Sequence, residues 1–258
     1  MTRTLTILAT IIILGAVYLY FFGFQTWMMW EAHKIGRRSP VVNLVPVALP
    51  DSSISHADGR KLSYLGYDFE IPWNDVDESK TTLTANRVVL VFHSGKALML
   101  TTGRGHEFAD EVVGQLDAKT FREAYGDSPM QSDYAMWQLI GSATPDRFTL
   151  RTPRKEAVGA MMLLVVKGVA MPEKSGFYSI ETNGFKGYQW GNPQSHPSHI
   201  VADLFTDNAG LEFIFPAQKN HPLDVTQAEI NRILQSVHKT TTTSVHSIST
   251  ADLVAVGR

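Results

Sequence analysis

"GFYSIETNGFKGYQWGNP", residues 176–193, decides how the rest of the chain is read. Asn183–Gly184 stands between two runs rich in aromatic residues. Asn and Gly tolerate the positive φ that both central residues of a tight hairpin turn require, so the segment predicts two antiparallel strands. A second hairpin follows in "HIVADLFTDNAGLEFIFP", residues 199–216, with Asp207–Gly210 as its turn. Upstream, "RVVLVF" and "KALMLTT" are apolar runs joined by His93, Ser94 and Gly95, which predicts a third. "RVVLVF" is nearly all apolar and is expected as a central strand covered on both faces. In "KLSYLGYDFEIPW", residues 61–73, Leu65, Tyr67, Phe69 and Ile71 alternate with Gly66, Asp68 and Glu70, a further strand that Pro72 ends.

Helical spacing fills the middle. "HEFADEVVGQL", "AKTFREAY" and "SDYAMWQLIGSA" repeat apolar residues every three or four positions, and Ser132 or Asp133 is placed to cap the third. Thr152 and Pro153 then open a helix that runs to about Val169. Its segment Ala157–Val166 is apolar on nearly all sides and too short to cross a bilayer, so it is expected to pack on the sheet. "DVTQAEINRILQSVHK" closes the fold, with Thr226 and Glu229 as a capping box and Ile230, Ile233, Leu234 and Val237 as its buried stripe. Hairpins, helices, hairpins and a last helix make an α+β domain with an antiparallel sheet packed by helices. It is expected over residues 54–239, with a low-complexity tail over 240–258.

The strand "GYDFEIPW", the hairpins "NGFKGYQWG" and "LFTDNAGLEFIF", and the closing "AEINRILQSVH" resemble the PsbP/Mog1-like domains in topology over Leu62–His238. The resemblance implies an α/β/α sandwich used mostly for binding and assembly. It does not account for the long "KEAVGAMMLLVVKG" helix, and it carries over no catalytic residue.

Ahead of the domain, Thr4–Phe24 is uncharged and apolar, about the twenty residues that span the hydrocarbon core. Bulky "YLYFFGFQTWMMW" follows where a cleaved leader would place small residues, so residues 1–30 are expected as a retained single-pass anchor. Trp27 and Trp30 are expected at the membrane interface, with Lys34, Arg37 and Arg38 beside lipid headgroups. Residues 31–53 then read as a basic juxtamembrane segment and an extended linker with three prolines. An extracytoplasmic domain is expected, because long domains cross largely regardless of charge. The Lys and Arg count of the flanks favours the cytoplasm and keeps that alternative open.

The net charge of −2 is +3 over residues 1–50 and −5 over the rest, with no basic run, so nucleic acid is not an expected partner. The absence of cysteine excludes disulfides, thiolate metal sites and a cysteine nucleophile. No motif calls for a cofactor. His196 and His199 have spacing that suits a metal if the loop at Pro197 bends, with Asp203 and Asp207 nearby. "GRGHEFADE" offers an anion nest at a helix start, with Arg104 adding charge and His106 and Asp110 on one helix face. Tyr178, Tyr188 and Trp190 are aromatic candidates for contact with a ligand or partner. The expected function is a membrane-anchored, non-enzymatic module that binds another protein. The alternatives are a membrane-anchored enzyme, a hydrolase or a metal-dependent one, whose site gathers His93, His106, His196 or His199, and self-association through the anchor, which lacks a G-x-x-x-G.

Overall fold

The computed structural model describes residues 2–38, 43–49, 59–114, 117–171, 176–195, 199–216 and 224–240. The tail over 241–258, His196 and most of the linker over 39–58 lie outside the described residues. The main sheet has eight strands. In spatial order they are β1 (Val47–Ala48), β7 (Phe177–Thr182), β8 (Phe185–Trp190), β9 (His199–Thr206), β10 (Ala209–Pro216), β6 (Ala97–Gly103), β5 (Arg87–Val91) and β4 (Thr82–Leu83). Every pair is antiparallel except β1–β7. The α+β reading holds.

The hairpins form for the reasons the sequence offers. Asn183 and Gly184 both have positive φ, 44° and 82°. The Asn183 amide also donates to the carbonyls of Gln235 and Val237 at 2.6 and 3.1 Å, which ties the hairpin tip to the end of the last helix. Between β9 and β10 the turn is tighter than Asp207–Gly210: Thr206 pairs with Ala209, leaving Asp207 and Asn208. Lys61–Trp73, whose alternation predicts one strand, is a hairpin. Leu65 and Gly66 turn at φ 56° and 82° between β2 (Arg60–Tyr64) and β3 (Tyr67–Ile71). With β11 (His238–Lys239) these form a small second sheet.

Two cores flank the main sheet. On one face, Phe69 and Ile71 of the small sheet and Ile230, Ile233, Leu234 and Val237 of α7 (Gln227–Ser236) meet Leu98, Leu100, Leu204, Phe213 and Phe215. The capping box of α7 is made: the Thr226 hydroxyl accepts from the Glu229 N–H, and the Thr226 N–H donates to the Glu229 carboxylate at 2.7 Å. On the other face lies a layer of α2 (Glu107–Gly114), α3 (Ala118–Tyr125), α4 (Ser128–Gln131), α5 (Asp133–Ser142) and α6 (Arg154–Ala170). It buries Phe177, Tyr188, Trp190 and Phe205 of β7–β9 against Met136, Ile140, Leu163 and Leu164. Burying each such side chain stabilises the fold by about 2–3 kcal/mol.

The helical layer covers only part of its face. On β10, β6 and β5, the same face carries Glu212, Ile214, Met99, Thr101, Val89 and Val91, which are half-buried and join neither core. β5 is therefore no central strand. It lies next to the edge strand β4, with Val88 and Leu90 buried and Val89 and Val91 less so.

α6 begins one residue later than its cap signal suggests. Pro153 holds the cap position, and the Thr152 hydroxyl accepts instead from the Thr149 N–H at 2.9 Å. Lys167, only 2% exposed within this apolar helix, donates to the carbonyls of Gly141 and Ala143 at the end of α5. Orphan carbonyls at a helix C-terminus suit a cation.

The largest departure from expectation is at the N-terminus. α1 (Thr2–Arg38) runs through residue 30 without a break and is about 55 Å long. Met28 and Ala32, one turn apart, are 4% and 0% exposed in the helical-layer core, where α1 packs on α6 and on the turn at Pro145–Arg147. No helix breaker stands between Gln25 and Ile35, and small Ala32 lets the neighbouring helix approach. The segment read as a spacer is also tied down: the Leu44 N–H donates to the Gly141 carbonyl, and Val47–Ala48 pair with Tyr178–Ser179 as β1. Within α1, Ile11–Ile35 is long and apolar enough to cross a membrane by length and composition.

Candidate functional site

Strand register places one row of residues across the uncovered margin of the sheet. Ser179, Tyr188, Asp203, Glu212, Thr101 and Arg87 are successive cross-strand partners and share a face. Tyr188 lies under the helices, stacked on Tyr134 at 4.6 Å and donating to the Tyr134 carbonyl. Arg87 is exposed. Asp203 and Glu212 stand where the cover ends. There a cleft of about 290 Å³ opens between the sheet and the start of α2.

The local chain builds the cleft wall. β6 ends at Gly103 and turns through Arg104–His106 into α2. A Cβ on Gly105 would lie 2.8 Å from the Thr206 carbonyl oxygen, so glycine lets this turn close on the β9–β10 turn. Asp133, at the start of α5, caps α2 rather than its own helix: its carboxylate accepts from the Ala109 N–H at 2.8 Å and the Phe108 N–H at 3.4 Å. Those are the amides that an anion nest would need, so an internal carboxylate already fills it. Phe108 stacks on Trp137 at 4.3 Å and 11° to make an aromatic wall.

Acidic groups dominate the electrostatics. Asp203 is 8% exposed, and its carboxyl takes no hydrogen bond from any described residue. Burial first, then the Glu212 and Asp133 carboxylates, push its pKa well above the ordinary carboxyl value. Burial raises Glu212 as well, and Arg87 opposes the rise. Burial also outweighs the two backbone hydrogen bonds at Asp133 and leaves it raised. At the rim, Arg104 reaches Glu107 at 4.0 Å.

The residues singled out from sequence scatter. Tyr188 and Trp190 are 0% and 6% exposed, core residues beneath α5 and not a contact surface. Both faces of β8 are covered, so aromatic enrichment there reports packing. Tyr178 is half-buried, and its hydroxyl accepts from the Asn192 amide at 2.6 Å. Of the candidates, Arg104 alone lines the cleft. Trp27 and Trp30 are exposed on α1, and Lys34 sits over the Trp30 ring at 4.7 Å while pairing with Glu31. Arg37 and Arg38 lie in the last turn of α1; their side chains are outside the described residues.

The described histidines do not converge. His93 and His106 stand beyond opposite ends of β6, seven residues or about 23 Å long. His93 approaches Asp77 at 3.8 Å, His106 bonds Asp110 at 2.8 Å, and His199 opens β9, three strands from β5. His196 lies outside the described residues, and among those described no group of three His, Cys, Asp or Glu is arranged to hold a metal. No family model, curated protein or solved structure matches this chain.

The sequence offers Asp203 only as a residue near the His196 and His199 pair. The usable signal was its phase. In "HIVADLFT", Ile200, Ala202 and Leu204 fill one face, so Asp203 falls between Val201 and Phe205 on the other. An acid inside a strand buried on both faces marks a site.

Proposed function

We propose that this chain is a single-pass membrane protein whose domain is a non-enzymatic binding module, seated directly on the bilayer and presenting its sheet to another protein. The observation that carries this reading is the burial of Met28 and Ala32 in the domain core. An anchor that shares the core fixes the height and orientation of the domain, which a flexible linker would leave free.

Neighbouring chemistry supports the seat. The Arg154 guanidinium lies over the Phe24 ring at 4.3 Å. With the membrane boundary near Phe24, Arg154 and its neighbours Arg151 and Lys155 stand at headgroup level. Trp27, Val158 and Val165 are 54%, 45% and 48% exposed, an apolar strip suited to the interfacial zone. Away from it, Val89, Met99 and Ile214, with exposed Thr82 opposite Val89 on the edge strand, form the contact face assigned to the partner. The domain is assigned to the extracytoplasmic side.

Photo-crosslinking residues at Thr82 and Val89 test the contact in intact membranes, with Lys119 on the exposed side of α3 as control. A discrete adduct from the sheet positions and none from Lys119 is the expected result. Equal or absent adducts at all three positions would refute the contact face. Protease access to a C-terminal tag in intact spheroplasts, expected before lysis, tests the side.

A further inference from the structure

We propose that the cleft beside Asp203 and Glu212 is a receptor site for a linear alkylammonium group. The inference goes beyond the protein-binding reading and stands without it, because it rests on other residues.

Asp203 carries the argument. It is more than nine-tenths buried, lines the cleft, and has neither a hydrogen-bond donor nor a cation among the described residues. Its carboxylate oxygens are not among the fully buried unpartnered atoms of the described residues, so they open onto the cleft and take their partner from what occupies it. Its nearest charges, Glu212 and Asp133, are acidic as well, so the empty fold offers no compensation. The missing partner is a cation with N–H donors.

The rest of the cleft selects among cations. Arg104 stands at the exposed rim, 4.0 Å from Glu107, and the Arg87 charge acts on Glu212 from outside the lining, so the charged groups on the pocket floor are acidic. The stacked Phe108–Trp137 pair offers an aromatic face, which attracts an ammonium as well as methylenes. The hydroxyl of Thr101, on the Glu212 face, adds a neutral acceptor. A metal ion would want three or more convergent ligands, and no described group has that arrangement. The volume, about 290 Å³, lies at the small end of ligand pockets and suits a slender chain more than a ring system. Such a group is carried by a free diamine or by a lysine side chain. Both present the same terminal ammonium on a short methylene stem.

The full chain in uncharged detergent micelles is titrated calorimetrically with 1,4-diaminobutane, N-acetyl-lysine methylamide, the neutral 1,4-butanediol and Mn²⁺. Saturable binding of one or both amines, with none of the diol, is the expected result. Preference for the diamine assigns a free small amine, and equal or better binding of the lysine amide assigns a side chain. Asp203→Asn weakens the amine about 10- to 100-fold, the range for a lost charge-assisted hydrogen bond. Glu212→Gln, on the more exposed neighbour, weakens it in the same direction and serves if the first variant folds poorly. Four results would overturn the proposal: no amine binding up to about 10 mM, equal binding of the diol, affinity unchanged in both variants, or binding of Mn²⁺ alone.

Discussion

Asp203→Asn makes a stability prediction that is independent of any ligand. Asparagine keeps the shape of the side chain and its place at the cleft, so the polar contact with the cleft is similar in both proteins. What differs is the proton. Unfolded, Asp203 titrates near 3.8; folded, burial and two acidic neighbours raise it well above that value. The folded state therefore binds more protons than the unfolded one between those two values. Stability from this group is fully present below pH 3.8 and is lost as pH rises through the folded pKa, at up to about 1.4 kcal/mol per pH unit. Between those two values the wild type therefore loses stability steadily relative to Asp203→Asn as pH rises. For a domain of this size each kcal/mol so lost lowers Tm by about 2–4 °C. Glu212 and Asp133 titrate in both proteins, so the difference isolates Asp203 and the repulsion that it adds. Near-UV circular dichroism of the full chain in micelles, from pH 5 to 7.5, reads the two melting curves. The variant should gain on the wild type as pH rises. Parallel pH profiles would mean that Asp203 is solvated, and a variant less stable throughout would mean that its carboxylate has a cationic partner.

Lys167→Met should leave the Gly141 and Ala143 carbonyls without their cation and cost about 1–3 kcal/mol at pH 7. Burial lowers the Lys167 pKa from 10.5 to about 8, so the unfolded chain holds the proton longer; wild-type stability then rises between those values, by up to about 3 kcal/mol, while the variant stays flat in urea titrations. Asn183→Ala should cost about 1–3 kcal/mol by the same assay, through positive φ and two lost hydrogen bonds, and Asn183→Gly should recover the φ part alone. Ala32→Leu should overpack the junction of α1 with α6, destabilise the domain by about 1–3 kcal/mol, and speed tryptic cleavage at Lys34.

The α+β class was legible because its signals are local. Asn183–Gly184 needs only its own two residues to turn, and Thr226 with Glu229 caps α7 across three. The misreadings concern what lies opposite. The alternation in Lys61–Trp73 runs on either side of a turn, so only Gly66 marked the break. "RVVLVF" has the composition of a covered strand, but whether helices reach it depends on where the helical layer ends. Asp133 was placed to cap its own helix and instead caps α2, a partner 24 residues away in sequence. The cleft combines two of these non-local facts, register and the limit of cover, and neither can be read from Asp203 or Glu212 alone.

The proposed anchor makes a further prediction, on whether lipid or protein surrounds the N-terminal half of α1. Residues from Ile11 to Phe22 are exposed along the helix, while Met28 and Ala32 are locked to the domain. One alanine inserted after Leu14 lengthens the helix by about 1.5 Å and rotates everything N-terminal to it by about 100° relative to the domain. A bilayer has no preferred side for a lone helix, so an anchor surrounded by lipid should tolerate that rotation with unchanged Tm, cross-linking pattern and oligomeric state. An anchor that packs against a second copy of the chain should lose its assembly. Inserting four alanines instead turns the helix about 400°, which brings the packing face back to within about 40° and should restore much of the assembly. A glycine pair four apart would bring two such helices into close contact, and Gly15 and Gly23 are eight apart. Tolerance of the single insertion is therefore the expected result. Loss on one alanine with recovery on four would refute the lipid-only environment and identify α1 as an oligomerisation helix.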